Sequence, residues 1–226
     1  FLQETYDHIR TSLMCEPRGH HDMFGVFVTP PPGPDFDAGM IWIDSERYVE
    51  MCGHGTIALS MVMVSHKMVR NIGEPTTTIR FATPPGPVTS EVKSQDGVVE
   101  WTRFQNVPAF VLAQDVPVEL PGFGELKADI SFGGNFFAVV KWPDTERPIA
   151  PENGSYLSEM GQLVKRQINE RMQIRHPVED HIRGLHFCTF WQAPDRPDSL
   201  YRNVHVFSDG KLDRSPGGTG TSMMMA

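Results

Sequence analysis

The chain has 226 residues, 39% of them hydrophobic and 21% charged, a globular composition long enough for one large domain or two compact ones. Its formal charge of −8 comes from 28 acidic and 20 basic residues with no long run of Lys and Arg, which argues against a nucleic-acid partner, because phosphate binding needs a concentrated basic face. No apolar stretch of about 18 residues is present to span a membrane, and Phe1-Leu2-Gln3-Glu4-Thr5 does not resemble a signal peptide, so a cytoplasmic location is expected.

In chain order, residues 4–13 read as a short amphipathic helix, and 16–22 as a polar turn. Residues 23–28 and 39–43 read as strands, separated by a Pro-rich loop at 30–34. Residues 56–68 are apolar, dense in Ala, Leu and Met, without Gly or Pro, and predict a mostly buried helix. Three strands follow at 76–82, 87–92 and 98–104, joined by turns at Pro84-Pro85-Gly86 and Asp96-Gly97. Residues 126–132 and 136–140 predict further strands. The clearest amphipathic helix covers 154–174, with Leu157, Met160, Leu163, Val164 and Ile168 on one stripe. Strands at 185–191 and 203–207 precede the start of a last apolar helix at 222–226.

One internal echo stands out. Met51-Cys52-Gly53-His54-Gly55-Thr56 and Pro216-Gly217-Gly218-Thr219-Gly220-Thr221 are both small-residue loops feeding an apolar helix, and Cys52 aligns with Gly217. Such a pair suggests two related lobes whose helix N-termini face one cleft. A helix N-terminus offers unpaired N–H groups and a partial positive charge, and glycines let a carboxylate come close to them. Gly53, His54 and Gly55 would form one cradle, and Gly218, Thr219 and Gly220 the other. That suits a small amino or hydroxy acid better than a nucleotide, and no Walker lysine follows either loop.

Cys15, Cys52 and Cys188 are an odd, sparse set with no CxxC spacing, which argues against a disulfide framework or a zinc site. For Cys15 and Cys188 the expectation is a small buried apolar side chain. Cys52 lies where a helix N-terminus lowers a thiol pKa from about 8.5, making a thiolate available as nucleophile or base. A thiol protease is the rival, but no recognised local signature accompanies the cysteine. His20-His21-Asp22 is read as a turn rather than a metal site, since adjacent side chains rarely converge on one ion. Asp213 is open to two readings: a holder of a substrate ammonium, or an acceptor closing its own turn.

These blocks resemble the proline racemase family. The match is carried by Glu16-Pro17-Arg18-Gly19-His20 with Asp22-Met23-Phe24-Gly25, by Met51-Cys52-Gly53-His54-Gly55, and by Asn106-Val107-Pro108. It continues through Gly133-Gly134-Asn135-Phe136-Phe137-Ala138 and Asp213-Arg214-Ser215-Pro216 with Gly218-Thr219-Gly220-Thr221-Ser222. The family comprises proline racemases, 4-hydroxyproline 2-epimerases and trans-3-hydroxy-L-proline dehydratases. The resemblance implies an α/β (α+β) fold of the diaminopimelate epimerase type: two similar lobes, here residues 1–110 and 111–226, each wrapping strands around a central helix, with the active site between them. It implies Cys52 as a catalytic thiol, and Gly53, His54, Gly218 and Thr219 around the substrate carboxylate and ring. Asp213 would meet the substrate nitrogen, and Phe24 and Phe207 would wall the ring. The substrate class is a small imino acid, proline or hydroxyproline. No cofactor and no metal are expected, and a homodimer is an assembly the reading allows.

Two departures from the family pattern bear on the reaction. Racemases and epimerases of the family carry a second cysteine where this chain has Gly217, and the dehydratases usually carry threonine. Two-base racemisation needs an acid on the face opposite the base, and glycine supplies none. Loss of one α-proton followed by departure of a 3-hydroxyl needs only Cys52, so trans-3-hydroxy-L-proline dehydration is the favoured expectation. Racemisation or 2-epimerisation is the alternative, and a non-catalytic remnant a further one. The resemblance also implies first strands before residue 1 and a central helix continuing past residue 226, so the sequence reads as a fragment.

Overall fold

The computed structural model describes all residues 1–226 and shows two compact units, Phe1–Pro108 and Ala109–Ala226. Each is a six-stranded sheet with its own helices, the mixed α/β arrangement expected from the sequence.

The first unit opens with helices α1 (Leu2–Thr5) and α2 (Asp7–Met14). The single helix expected over 4–13 is broken at Tyr6, whose backbone (φ −121°, ψ 12°) leaves the helical region. Asp7 restarts the helix and pairs with Arg10 at 2.6 Å, and Arg10 in turn reaches the Asp44 carbonyl at 3.1 Å. Strands β1 (Phe24–Thr29), β2 (Ala38–Asp44) and β3 (Tyr48–Val49) follow. β1 and β2 pair antiparallel from Phe24↔Asp44 to Thr29↔Gly39, and β2 is almost wholly buried. Helix α3 (Gly53–Ser65) comes next, then the meander β4 (Thr76–Thr83), β5 (Gly86–Gln95) and β6 (Val98–Gln105). The β5–β6 turn needs positive φ at both central residues, and Asp96 (51°) and Gly97 (78°) provide it.

The sheet runs β1-β2-β4-β5-β6, and α3 packs on β1, β5 and β6. Ile79, Phe81, Val88 and Val92 are fully buried, and Leu59, Met63 and Val64 of the helix are buried as well. α3 begins three residues before the helix expected at 56–68, because the small-residue loop is its first turn. Gly55 is there for packing. A Cβ at this position would stand 2.6 Å from the Trp42 ring, so only glycine lets the helix lie this close to β2.

The second unit holds β7 (Phe110–Leu120), β8 (Gly124–Phe132), β9 (Phe136–Lys141), α4 (Gly154–Arg171), β10 (Phe187–Gln192), β11 (Arg202–Phe207), β12 (Lys211–Leu212) and α5 (Gly218–Met224). The sheet order is β12-β11-β10-β9-β8-β7. Only β9 and β10 pair parallel, and α4 is the crossover such a pair requires. β7 escapes a reading for alternation: it is an edge strand carrying Pro117 and a positive φ at Asp115, with register shifts between Val111 and Val116. α4 ends at Arg171, short of 174, because the chain turns extended at Met172 and Arg175 bridges Arg183 ahead of Pro177. α5 starts at Gly218 rather than 222 and rests on β8 and β9.

No helix is long and apolar enough to cross a membrane.

Candidate active site

Cys52 is the N-cap of α3, in extended conformation (φ −137°, ψ 110°). Its carbonyl accepts the first intrahelical bond from the Thr56 N–H (3.0 Å) and a second from the Thr56 hydroxyl (2.8 Å). The N–H groups of Gly53, His54 and Gly55 therefore precede the first intrahelical donor, the Thr56 N–H, and have no helical partner. The Cys52 sulfur lies 3.7 Å from Nδ1 and 3.6 Å from Nε2 of His54. Near-equal distances place it between the two ring nitrogens rather than on one N–H axis. Phe24, at the start of β1, meets the His54 ring edge-on at 5.4 Å and 81°. Phe24, Cys52, Gly53 and His54 thus come together in the first unit. Cys52 itself is only 5% exposed, while His54 faces outward.

The second loop repeats this backbone pattern. Gly217 is the N-cap of α5, and its carbonyl accepts from the Thr221 N–H at 2.7 Å, leaving the N–H groups of Gly218, Thr219 and Gly220 ahead of the first intrahelical bond. The alignment of Cys52 with Gly217 thus holds at the level of local structure. Their φ values differ in sign: Gly217 sits at +71° with ψ 109°. An L side chain is disfavoured there.

Asp213 closes its own turn, one of the two readings made of it. Its Oδ1 accepts from the Ser215 N–H (2.9 Å) and hydroxyl (2.8 Å), and that hydroxyl accepts from the Gly217 N–H at 3.1 Å. One carboxylate oxygen closes the turn, and Oδ2 makes no hydrogen bond within the protein. Phe207 ends β11, stacked on Phe187 at 6.2 Å and 23°, and its register partner Lys211 lies two residues before Asp213.

Two residues beneath this loop have structural roles that the linear sequence did not signal. His205 of β11 is 2% exposed, with Thr189 Oγ1 at 2.7 Å from Nδ1 and the Pro216 carbonyl at 2.6 Å from Nε2. A carbonyl only accepts, so Nε2 carries the hydrogen and Nδ1 accepts from the threonine hydroxyl. Burial pushes the His205 pKa below its ordinary value, against the smaller opposing pull of the Pro216 carbonyl and Asp213. Gly133, in the Gly133-Gly134-Asn135 block, seats α5: a Cβ there would collide with the Thr219 carbonyl and approach the Met223 N at 2.8 Å. Only the register pairing of Thr189 with His205 could have exposed the histidine's role.

His20 and Cys188 are as the sequence predicts, a turn residue and a small buried side chain, whereas Cys15 is only half-buried. His20 Nδ1 accepts from the Asp22 N–H at 3.2 Å, which makes it part of a turn. Cys15 is half-buried with Sγ 3.5 Å from the Ser45 carbonyl, and Cys188 is wholly buried, its thiol pushed up to about 12 by burial. No three His, Cys, Asp or Glu side chains are arranged to hold a metal.

Two sheet-and-helix units, each with a glycine-rich loop capping a helix and one loop bearing a thiol, define a class of mixed α/β protein. The chain belongs to the proline racemase family, which matches residues 1–226. It is 55% identical to a 4-hydroxyproline 2-epimerase of Cereibacter sphaeroides and 38% identical to a trans-3-hydroxy-L-proline dehydratase of Bacillus thuringiensis, in each case over all of this chain and 67% of the relative. Its structure is similar to that of a hydroxyproline epimerase from Agrobacterium vitis with bound trans-4-hydroxy-L-proline: the TM-score is 0.90 at 29% identity, covering 97% of this chain and 64% of the other. The chain therefore spans about two thirds of the length of these relatives.

Proposed function

We propose that the protein abstracts the α-proton of a hydroxyproline with the Cys52 thiolate and returns a proton on the other face, a 2-epimerisation of 4-hydroxyproline. The observation that carries the reading is Cys52 at the N-cap of α3, where free N–H groups and the helix dipole favour an anion at its sulfur. The 55% identity to a 4-hydroxyproline 2-epimerase supports this substrate above the dehydration favoured by the sequence. Gly53, His54, Gly218 and Thr219 would hold the carboxylate and ring, Asp213 Oδ2 the ammonium, and Phe24 and Phe207 the ring faces. Sulfur takes the Cα–H proton, the electron pair is delocalised into the carboxylate held by backbone N–H groups, the new C–H bond forms with a proton from water, and the hydroxide left behind takes the proton back from the Cys52 thiol, which restores the thiolate. Water fills this role because Gly217 has no side chain. A cytoplasmic setting belongs to the same proposal.

The bare position 217 favours a second reading, dehydration of trans-3-hydroxy-L-proline, in which the electron pair expels the 3-hydroxyl and no second proton donor is needed. Incubating the protein with each substrate in heavy water separates the two. Deuterium at Cα with formation of the 2-epimer from trans-4-hydroxy-L-proline is expected. The cyclic imine from the 3-hydroxy substrate alone would establish the second reading. Folded wild-type protein that is as inert as Cys52→Ala on both substrates would overturn both.

A further inference from the structure

The backbone at Gly217 is committed to a conformation that L residues avoid, and His205 fills the space beneath it. A Cβ built on Gly217 runs into Cδ2 and Nε2 of His205, and one built on Gly220 runs into the same ring. The imidazole is not free to yield. Its Nε2–H is held by the Pro216 carbonyl, its Nδ1 accepts from Thr189, and the Phe137 ring stands edge-on to it at 5.7 Å and 70°. The hydrogen bond to Pro216 pins the residue immediately before Gly217, and the Asp213 N–H is tied to the His205 carbonyl at 3.0 Å. One residue of β11 thus holds the segment at Asp213 and at Pro216 and excludes side chains from Gly217 and Gly220.

We propose that His205 is a positioning residue that locks the Asp213–Gly217 loop and the first turn of α5 into a glycine-only conformation, so that position 217 cannot carry a side-chain acid. The proposal rests on the reading of this loop as part of the substrate site. It explains why Gly217 is more than a missing side chain: the protein has occupied the volume that a residue at 217 would use. Steric exclusion and positive φ act in the same direction, so restoring a thiol at 217 by mutation should not restore a second base.

The test reads the loop directly. In the wild-type protein, imidazole 15N shifts should show His205 as the neutral Nε2–H tautomer; the Nδ1–H tautomer would overturn the proposal even if every variant fails to fold. His205→Val should accelerate hydrogen exchange of the 213–221 amides, and His205→Gln, which keeps a side-chain N–H donor, should restore protection. For 4-hydroxyproline, His205→Val should raise KM by about fivefold, the worth of one ordinary hydrogen bond, and lower kcat by less. Gly217→Cys alone should lower the thermal midpoint by about 4 °C or more, and this loss should shrink when His205→Ala is added. Unchanged loop exchange in His205→Val, or a Gly217→Cys protein as stable as wild type, would sink the proposal. Absence of turnover in the wild type would instead sink the proposed function, leaving the tautomer and exchange results to judge His205.

Discussion

The sulfur of Cys52 faces the imidazole of His54 midway between its two nitrogens, at 3.6 and 3.7 Å, on the first turn of α3. A thiolate there gains from the helix N-terminus and from the polar His54 ring beside it, without needing one aligned bond. Alkylation by iodoacetamide should therefore reach half its maximal rate below about pH 8.5, the free-thiol value. His54→Ala should move that midpoint upward. Cys188 stays silent because burial holds its thiol protonated, and subtracting the Cys52→Ala trace removes any Cys15 signal. A midpoint at the free value would remove the basis for Cys52 as base.

Asp213 divides its two carboxylate oxygens between structure and the proposed chemistry. Asp213→Asn keeps an Oδ1 acceptor for Ser215 but loses the negative charge. Its thermal midpoint should stay near wild type while KM for hydroxyproline rises by about tenfold or more, the equivalent of roughly 1.4 kcal/mol. Asp213→Ala loses the turn as well and should fall in both measurements. An Asn variant with unchanged KM would show that the carboxylate serves only the turn.

Gly55 tests close packing against helix propensity. Alanine in a helix interior is favoured over glycine by about 1 kcal/mol, yet the added methyl would press to 2.6 Å from the Trp42 ring. Overpacking typically costs about 1–3 kcal/mol, so Gly55→Ala should be destabilising in a chemical denaturation series. A stabilised variant would mean that Trp42 moves aside freely.

His205 and His176 both have folded pKa values lowered chiefly by burial. The fold favours their neutral forms, so as pH falls the unfolded chain takes up these protons first, near its ordinary value of about 6.5. Their contribution to stability is complete above that value and is lost as pH drops through it toward the lowered folded values. The thermal midpoint should decline as pH falls below about 6.5, and less steeply in His205→Gln. For His176, Nδ1 already accepts from the Val178 and Glu179 N–H groups, which its protonation would disrupt. Equal slopes in wild type and His205→Gln would count against the assignment for His205.

Much of the architecture was legible because periodicity is local. The alternation of β4 to β6, the Asp96-Gly97 turn and the apolar stripe of α4 each declare themselves within a dozen residues. The two small-residue loops were legible too, and their alignment correctly paired Cys52 with Gly217 as helix N-caps. β7 was not, since a bulged edge strand with a proline has no clean period.

The sequence by itself determined the family, the thiol and the absence of a side chain at 217, because residue identity and spacing carry those facts. Only the tertiary structure decided why 217 is bare and what Gly55 and Gly133 are for. Those answers depend on atoms from β11, from Trp42 of β2 and from the backbone of α5, brought into van der Waals contact by sheet register and helix packing, which no short stretch of sequence encodes.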